Sequence, residues 1–576
     1  MQKNVNIDYY LIIILGLFFC ALIIFISYFV GPLSDESLPI ATSLRFIKGQ
    51  RPFIDDYSAF IPFGLLLYPL IKLSLWLHNG NNELILFLRH SYIVFVFLLS
   101  AYTFFLIRKR LSLMLSFFIF FGVNIFHPFG INNFHYDTLA TLLWSNILFQ
   151  FFSFQFIEPI RKIHFIIFSL FNLILCLAYP TFLFFLIPFY LIFSLFSQHS
   201  KKIFLFHLLI ASFAGICIAF ILFYYFKVST QDLHNFLDFL HRLSLSSNQS
   251  LFDKCIELAH RIISKYSSVL FVALGSLFIA YIGRRHWYIL LTGFITILVL
   301  PLFKINIQHA IHTDIFWVLN YTGFLSFPIF LIFLRTDVDS RALFYFIGLP
   351  SLAAGILTSV TAHMLDMNWI IGFFPASLLT YIFTFFIFQK YLRSESFLHY
   401  FATRAVLIFG LIELAFFQWN FIYGANYTGI ALYKNSIKVD VDGPFSGLHV
   451  TPTCYTIVTE LQKDLQILDV PYIKGFAYFG LFSAGYLFLT QLKPGEYVLY
   501  SAPGQNHFGE KIRTPNYVFD FSKLWRFPHE IRDDYLKGVQ YRQIASRQFY
   551  DIYASEPVKI LELNDKSFSR GIKFSI

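Results

Sequence analysis

Long apolar runs separated by short polar stretches fill the first 423 residues of this 576-residue chain. An α-helix needs roughly 17 to 25 mostly apolar residues to cross about 30 Å of hydrocarbon. Thirteen runs are close to or within that range, so the sequence predicts an all-α polytopic membrane domain over residues 1–423. The predicted spans are 9–30, 90–107, 112–127, 137–157, 163–178, 181–197, 203–226, 266–283, 287–303, 315–334, 342–362, 369–389 and 405–423.

The charged residues are sparse and concentrated near the C-terminus. Only 13% of the chain is charged, against about 25% in a soluble globular protein. Of the 43 basic and 33 acidic residues, 17 and 15 follow residue 423. These numbers exclude a soluble enzyme, a disordered chain and a disulfide-stapled secreted protein. They predict a separate polar domain over 424–576, a small α/β unit with a helix at 453–469 and strands near 471–479 and 515–521.

Short basic clusters between the runs indicate topology rather than nucleic-acid binding, despite the net charge of +10. Positive loops stay on the cytoplasmic side of a membrane. The segment 60–77 is apolar but contains Pro62, Gly64, Pro69 and Lys72, and the clusters share one side only if it lies at the interface. The clusters are Lys3, Arg108 to Arg110, Arg161 and Lys162, Lys201 and Lys202, Arg284 and Arg285, Arg335 and Arg341, and Lys390 to Arg404.

This topology places the N-terminus in the cytoplasm and the C-terminus outside, in an arrangement that fits a bacterial inner membrane. The external side then receives the polar connections and the C-terminal domain. These are 31–89, 128–136, 227–265, 304–314, 363–368 and everything from 424 onward.

Two acidic pairs occur in the first external loop, 31–89. Asp35 and Glu36 follow the first span directly, and Asp55 and Asp56 come about twenty residues later. Carboxylates beside a bilayer are costly unless they are hydrated, paired or bound to a cation. They are therefore candidates for function, the alternative being ordinary loop acids in water.

The same loop resembles that of the GT-C superfamily of glycosyltransferases. It combines the Asp35-Glu36 pair with a G-x-x-P-F-x-D-D-Y stretch over 49–57 and a Pro-bearing interfacial helix. The pattern is similar in particular to bacterial relatives of the protein O-mannosyltransferases and to lipid A aminoarabinose transferases. Thirteen spans followed by an external C-terminal domain also fit that plan.

The resemblance implies sugar transfer from a polyprenyl-phosphate-linked donor to an external lipid, glycan or protein acceptor, with inversion at the anomeric carbon. A hydroxyl acceptor needs a carboxylate to take its proton, and by the family pattern Asp35 is that base. Glu36 would share the task or bind a divalent cation. Asp55 and Asp56 would complete an acceptor or metal site, because clustered carboxylates suit Mg²⁺ or Mn²⁺.

Positive groups are expected to stabilise the leaving phosphate. For Lys72 and Arg89 the sequence favours side chains that only reach to the interface. His309 and His312, three residues apart, also permit metal binding, but a role at the donor phosphate is favoured. The predicted phosphate-binding residues are Arg51, Lys304, His309 and His312.

Polar residues elsewhere leave several interpretations open. His127, His135 and Asp137 are placed at the external surface, with Asp137 expected to cap the next helix. Glu413, near the middle of the last span, has either a partner, a water-filled cavity or a proton of its own.

Two other functional classes compete with glycosyl transfer. A transporter or lipid flippase is the main alternative, although such proteins are commonly built from paired repeats and no repeat is evident. A membrane scaffold whose external domain binds a partner is the third, but it leaves the acidic pairs unexplained. No nucleotide-binding motif occurs, and nucleic acid is not an expected partner.

Overall fold

The structure is a computed structural model, and it describes most of the helical domain and parts of the C-terminal region. The described residues are 2–29, 36–54, 61–156, 161–196, 198–235, 237, 252–264, 275, 278, 298, 312–331, 338–361, 368–391, 397–420, 422–423, 429–430, 434, 436–467, 476–479, 517–521, 523 and 541–554.

Helices make up most of the described chain. Residues 252–264 are also helical. A π-helical turn, Ile221–Tyr225, extends α9, and another, Phe344–Gly348, lies within α11. The labelled helices are α1 Gln2–Ser27, α2 Ser37–Ile47, α3 Ile61–Leu77, α4 Leu84–Ile107, α5 Leu113–Ile125, α6 Tyr136–Phe154, α7 Lys162–Ala178, α8 Thr181–Phe196, α9 Gln198–Phe220, α10 His312–Leu331, α11 Val338–Val360, α12 Trp369–Tyr391, α13 Phe397–Asn420 and α14 Pro452–Ile467.

Within the described residues, six helices are long and apolar enough to cross a membrane. They are Asp8–Ser27, Leu84–Ile107, Leu208–Tyr225, Val338–Val360, Trp369–Lys390 and Tyr400–Trp419. Five further apolar helices are shorter, among them α3 and α5. The predicted spans 266–283 and 287–303 fall almost wholly outside the described residues. A helical membrane protein is therefore confirmed, whereas the number thirteen is not.

The bundle is built around α6 and α12, whose side chains are buried almost throughout. The indole N–H of Trp144 in α6 donates to the backbone oxygen of Gly372 in α12 at 3.0 Å. Gly372 also lies against α11, where an added methyl group would approach the backbone of Ala354 to 2.3 Å. The three helices thus pack closely because glycine removes the side chain at their crossing.

Helix α3 corresponds to the predicted interfacial segment 60–77. Its first turns pack on α2, where the position of a methyl group on Gly64 lies 2.8 Å from the side chain of Thr42. After its last turn the chain reaches Glu83 within six residues, next to the C-terminal region. The last turn of α3 therefore lies toward the end of the bundle that contacts the C-terminal region, and the interfacial position of this helix stays a prediction.

Ion pairs and hydrogen bonds mark the opposite end of the bundle. Arg110 pairs with Asp339, and Arg404 pairs with Asp8 at 2.8 Å. The predicted basic loops that contain Arg110, Arg341 and Arg404 therefore lie on one side, as expected.

The C-terminal region contains short strands and one helix, as predicted. Two hairpins, β1 Ile422–Tyr423 with β2 Gly429–Ile430 and β3 Ile437–Lys438 with β4 His449–Val450, precede α14. A four-stranded sheet has the order β5-β6-β8-β7, in which β5 and β6 are parallel and the other pairs are antiparallel. Its strands are β5 Phe476–Phe479, β6 Tyr517–Asp520, β7 Arg542–Ser546 and β8 Asp551–Ala554.

The region that joins the strands to the bundle is fixed by backbone hydrogen bonds. The amide of His449 donates to the carbonyl of Tyr28 at 2.7 Å, beyond the end of α1. The amides of Glu83 and Ile85 donate to Gly443 and Pro444 at 3.0 and 3.2 Å. The β3–β4 hairpin and its loop therefore cover the ends of α1 and α4 and face the predicted external loops.

Candidate functional site

The predicted site residues divide into described and undescribed positions. Glu36 and Arg51 are described with their side chains, and His312 begins α10. The others lie outside the described residues, namely Asp35, Asp55, Asp56, Lys304 and His309. The structure thus gives the geometry of one half of the first acidic pair.

Glu36 is fully buried beside α4. Its carboxylate accepts two hydrogen bonds from the guanidinium of Arg89, from Nε at 3.2 Å and from Nη2 at 2.7 Å. Bidentate pairing of this kind fixes the orientation of both side chains. Glu36 is therefore a held, charge-compensated carboxylate rather than a hydrated loop acid.

Arg89 also holds the end of the first helix. Its Nη1 donates to the backbone oxygens of Ser27 at 2.9 Å and Phe29 at 2.6 Å. These carbonyls lie at and beyond the end of α1, where backbone oxygens lack helical partners. The expectation that Arg89 reaches to the interface is wrong, because the residue is 1% exposed and its donors are taken up inside the protein.

The connection between α5 and α6, residues 126–135, is buried and contacts both Glu36 and α1. The side-chain amide of Asn133 donates to the Glu36 carboxylate at 2.8 Å, and that of Asn132 donates to the backbone oxygen of Ile23 in α1 at 3.3 Å. Phe129 has φ 60°, in the left-handed region, which a bulky residue adopts only when its surroundings require it. The connection is therefore part of the interior.

Two histidines in this connection are buried and uncharged at neutral pH. Burial lowers the pKa of His135 to about 3. Burial likewise lowers the pKa of His127 to about 3, opposed by a hydrogen bond with the Ile125 carbonyl and assisted by the charge of Arg89. Neither ring nitrogen of His135 has a hydrogen-bond partner in the described part of the chain. The prediction placed both histidines at the surface, whereas the structure buries them.

Asp137 lies inside the first turn of α6, whose N-cap is His135, so the expectation that Asp137 caps the helix at the surface is wrong, and the residue is buried. A carboxylate there is favoured by the helix dipole. Its carbonyl accepts a hydrogen bond from Thr141 at 2.9 Å.

Arg51 lies away from Glu36, beyond the other end of α2. The eleven residues of α2 separate them, a helical length of about 16 Å. The hydrogen bond that the Ser229 hydroxyl donates to Asp232 is the main cause that lowers the pKa of this carboxyl. The charge of the exposed Arg51 side chain lowers this pKa further, by a smaller amount. The structure therefore associates Arg51 with residues 229–232, not with the Glu36 cluster.

Among the described residues, the partners of the Glu36 carboxylate are hydrogen-bond donors. Both of its oxygens accept hydrogen bonds, and the Arg89 guanidinium supplies the compensating positive charge. Across the described ranges, no group of three His, Cys, Asp or Glu side chains is arranged to hold a metal. The Mg²⁺ or Mn²⁺ site stays a prediction, and it depends on residues outside these ranges.

Glu413 has a partner on a neighbouring helix. The hydroxyl of Tyr381 in α12 donates to its carboxylate in α13, and both residues are buried. A hydrogen-bonding partner is thus observed, and it fits both a charged Glu413 and one that keeps its proton and bonds to a neighbouring helix.

Sequence reasoning missed Asn133 and the pairing of Glu36 with Arg89. The only available signal was the Asn132-Asn133 pair in the polar connection that also contains His127 and His135. Comparison of the chain with protein-family models, curated proteins and solved structures finds no match.

Proposed function

We propose that the protein is a GT-C-like membrane glycosyltransferase, which moves a sugar from a polyprenyl-phosphate-linked donor to an external lipid, glycan or protein acceptor. In this proposal thirteen helices span a bacterial inner membrane. The N-terminus is cytoplasmic, and the reaction takes place at the end of the bundle that carries Glu36 and the C-terminal region.

The observation that supports the proposal best is the anchored carboxylate of Glu36. Three side-chain hydrogen bonds hold it, two from Arg89 and one from Asn133. Catalytic groups act only when they are held close to the productive geometry, and their neighbours commonly supply that constraint. The predicted base, Asp35, is joined to this anchored residue by one peptide bond.

The proposed reaction uses Asp35 as general base and Glu36 as its anchor. The Asp35 carboxylate takes the proton of an acceptor hydroxyl while that oxygen attacks the anomeric carbon of the donor. A new glycosidic C–O bond forms, the bond from the anomeric carbon to the phosphate oxygen breaks, and polyprenyl phosphate leaves with the bonding electrons. Lys304, His309 and His312 are the proposed stabilising groups for that phosphate. Arg51, which the sequence predicts with them, lies beyond the other end of α2 and is not part of this proposal.

The test is donor consumption by the purified protein. A panel of radiolabelled polyprenyl-phospho-sugars is incubated with the wild type, with Asp35→Asn and with Asp253→Asn, a control at an exposed acid of the predicted external loop 227–265. We expect one donor to be consumed by the wild type and the control, and transfer by Asp35→Asn to fall at least a hundredfold while its unfolding temperature is unchanged.

Normal transfer by Asp35→Asn would show that the base is another group. Consumption of no donor, together with movement of a lipid across liposomes by the same preparation, would instead identify a flippase.

A further inference from the structure

A groove on the outside of the bundle is separate from the Glu36 cluster. Its cavity volume is about 820 Å³, within the range of roughly 300–1,000 Å³ typical of ligand pockets. One wall is the outer half of α4, and the polar end is formed by the connection from α3 and by β3 of the C-terminal region.

The α4 wall is apolar and faces outward. Leu86, His90, Val94 and Leu98 follow one another at intervals of four residues, so they share one helix face. Val94 and Leu98 are 60% and 68% exposed. From Glu83 to Leu98 the helix rises about 22 Å, more than the roughly 15 Å of hydrocarbon in one leaflet. The groove therefore suits an extended acyl chain.

The opposite end of the groove carries one negative and one positive charge. Glu83 and Lys438 both line it and both are exposed. Within the described chain, neither side chain forms an ion pair or a hydrogen bond, with each other or with any other residue. A basic and an acidic group at one mouth, each without a protein partner there, complement a ligand that carries both charges.

The backbone holds these groups in position. Glu83 has φ 54°, a left-handed conformation that costs a non-glycine residue free energy and is retained where the surroundings require it. Its amide donates to Gly443, which ties the α4 end to the same segment that carries Lys438. The spacing of the two charges is therefore set by the fold.

His90 and Tyr28 also line the cavity. The His90 ring packs edge-on against Tyr28, with centroids 5.3 Å apart. Its Nε2 has no hydrogen-bond partner among the residues that the structure describes. That nitrogen is buried, so the His90 ring gives the cavity a packing surface and no hydrogen bond to a ligand.

We propose that this groove binds a zwitterionic phospholipid whose headgroup carries a phosphate and a primary amine. The ammonium group pairs with Glu83, the phosphate pairs with Lys438, and an acyl chain lies along Val94 and Leu98. A headgroup with negative charge alone would meet the Glu83 carboxylate, and a quaternary amine has no N–H to donate to it. The inference does not depend on glycosyl transfer.

The test is lipid-dependent thermal stability of the delipidated full-length protein in detergent micelles. Dioleoyl lipids with phosphoethanolamine, phosphoglycerol and phosphocholine headgroups are titrated separately, since a ligand of the folded state raises the unfolding temperature. We expect the phosphoethanolamine lipid to bind at least tenfold more tightly than the other two.

The variants separate the two charges. Glu83→Gln should remove the preference for phosphoethanolamine over phosphoglycerol, and Lys438→Gln should weaken binding of both at least fivefold. Val94→Trp fills the groove at an exposed site and should weaken binding of all three lipids. Lys434→Gln and Asp442→Asn change exposed charges outside the groove and should leave every affinity unchanged.

Equal affinity of the wild type for the three lipids would overturn the proposal. So would a phosphoethanolamine preference that persists in Glu83→Gln, or an undiminished affinity of Lys438→Gln for both lipids, provided that each variant without lipid unfolds within a few degrees of the wild type. The effect would then come from lipid around the whole bundle rather than from this groove.

Discussion

Replacing Arg89 with glutamine would leave the Glu36 carboxylate buried without its counter-ion. Arg89 makes four hydrogen bonds, two to Glu36 and two to the carbonyls of Ser27 and Phe29. Removal of one partner from a buried ion pair costs about 3–5 kcal/mol. We therefore expect Arg89→Gln to lower the free energy of unfolding by about 4 kcal/mol, roughly a thousandfold in the unfolding equilibrium.

Arg110→Gln is the matched control for this experiment. Arg110 also pairs with a carboxylate, that of Asp339, but the two side chains are 40% and 27% exposed. Exposed pairs contribute about 0–1 kcal/mol. Denaturant unfolding in micelles, followed by circular dichroism, should therefore show a large loss for Arg89→Gln and almost none for Arg110→Gln.

A double-mutant cycle isolates the ion pair from the bonds to the α1 carbonyls. The double variant Glu36→Gln/Arg89→Gln has no buried charge at this position, so its loss should be about 2 kcal/mol smaller than the sum of the two single losses. If Arg89→Gln were no more destabilised than Arg110→Gln, or if the two losses were additive, the claim that this pair anchors the α1 exit would be refuted.

Three further predictions concern packing, pH and the C-terminal region. Gly372→Ala should lower the unfolding temperature by several degrees or prevent folding, because the added methyl group meets the Ala354 backbone. Gly215→Ala is the control, since open space surrounds Gly215 and its unfolding temperature should not change. Equal unfolding temperatures of the two variants would contradict the close helix crossing. Burial lowers the pKa of His135 to about 3 from an ordinary 6.5, so between these pH values only the unfolded chain binds the extra proton, and the stability of the wild type should fall as pH drops from 6.5 toward 3. His135→Gln should reduce this dependence of stability on pH by up to about 1.4 kcal/mol per pH unit. The same change in stability between pH 7 and pH 5 for wild type and variant, measured by denaturant titration, would disprove the prediction. Asp464 is 1% exposed and accepts hydrogen bonds from Arg547 and Tyr550, so Asp464→Asn should make the C-terminal region at least tenfold more sensitive to limited proteolysis, while Asp442→Asn should have no effect.

The apolar runs predict where most described helices lie, because length and hydropathy dominate membrane insertion. Their ends are less predictable. The predicted run 90–107 is shorter than α4, which begins at Leu84. Arg89 and His90 interrupt the apolar run in the sequence, whereas in the folded protein Arg89 is buried and His90 lines the groove. The run 405–423 likewise misses the first turns of α13, because Arg404 is compensated by Asp8.

The partners of Glu36 are harder to predict than the helices, because contacts between polar residues in the folded protein are not visible in the local sequence. Position after the first span singles out Glu36, but its partner Arg89 is 53 residues away in the chain and its partner Asn133 is 97 away. Neither separation has a local signature, because the contacts arise only when α1, α4 and the 126–135 connection pack together. Sequence spacing therefore indicates the acid and cannot identify what neutralises it.

The backbone bonds from residues 443, 444 and 449 to the ends of α1 and α4 have a consequence for biosynthesis. A ribosome delivers the first and fourth helices to the membrane more than 300 residues before it makes the segment that seals them. Until translation reaches that segment, those ends of the nascent bundle lack these hydrogen-bond partners, so this part of its assembly is necessarily a late event.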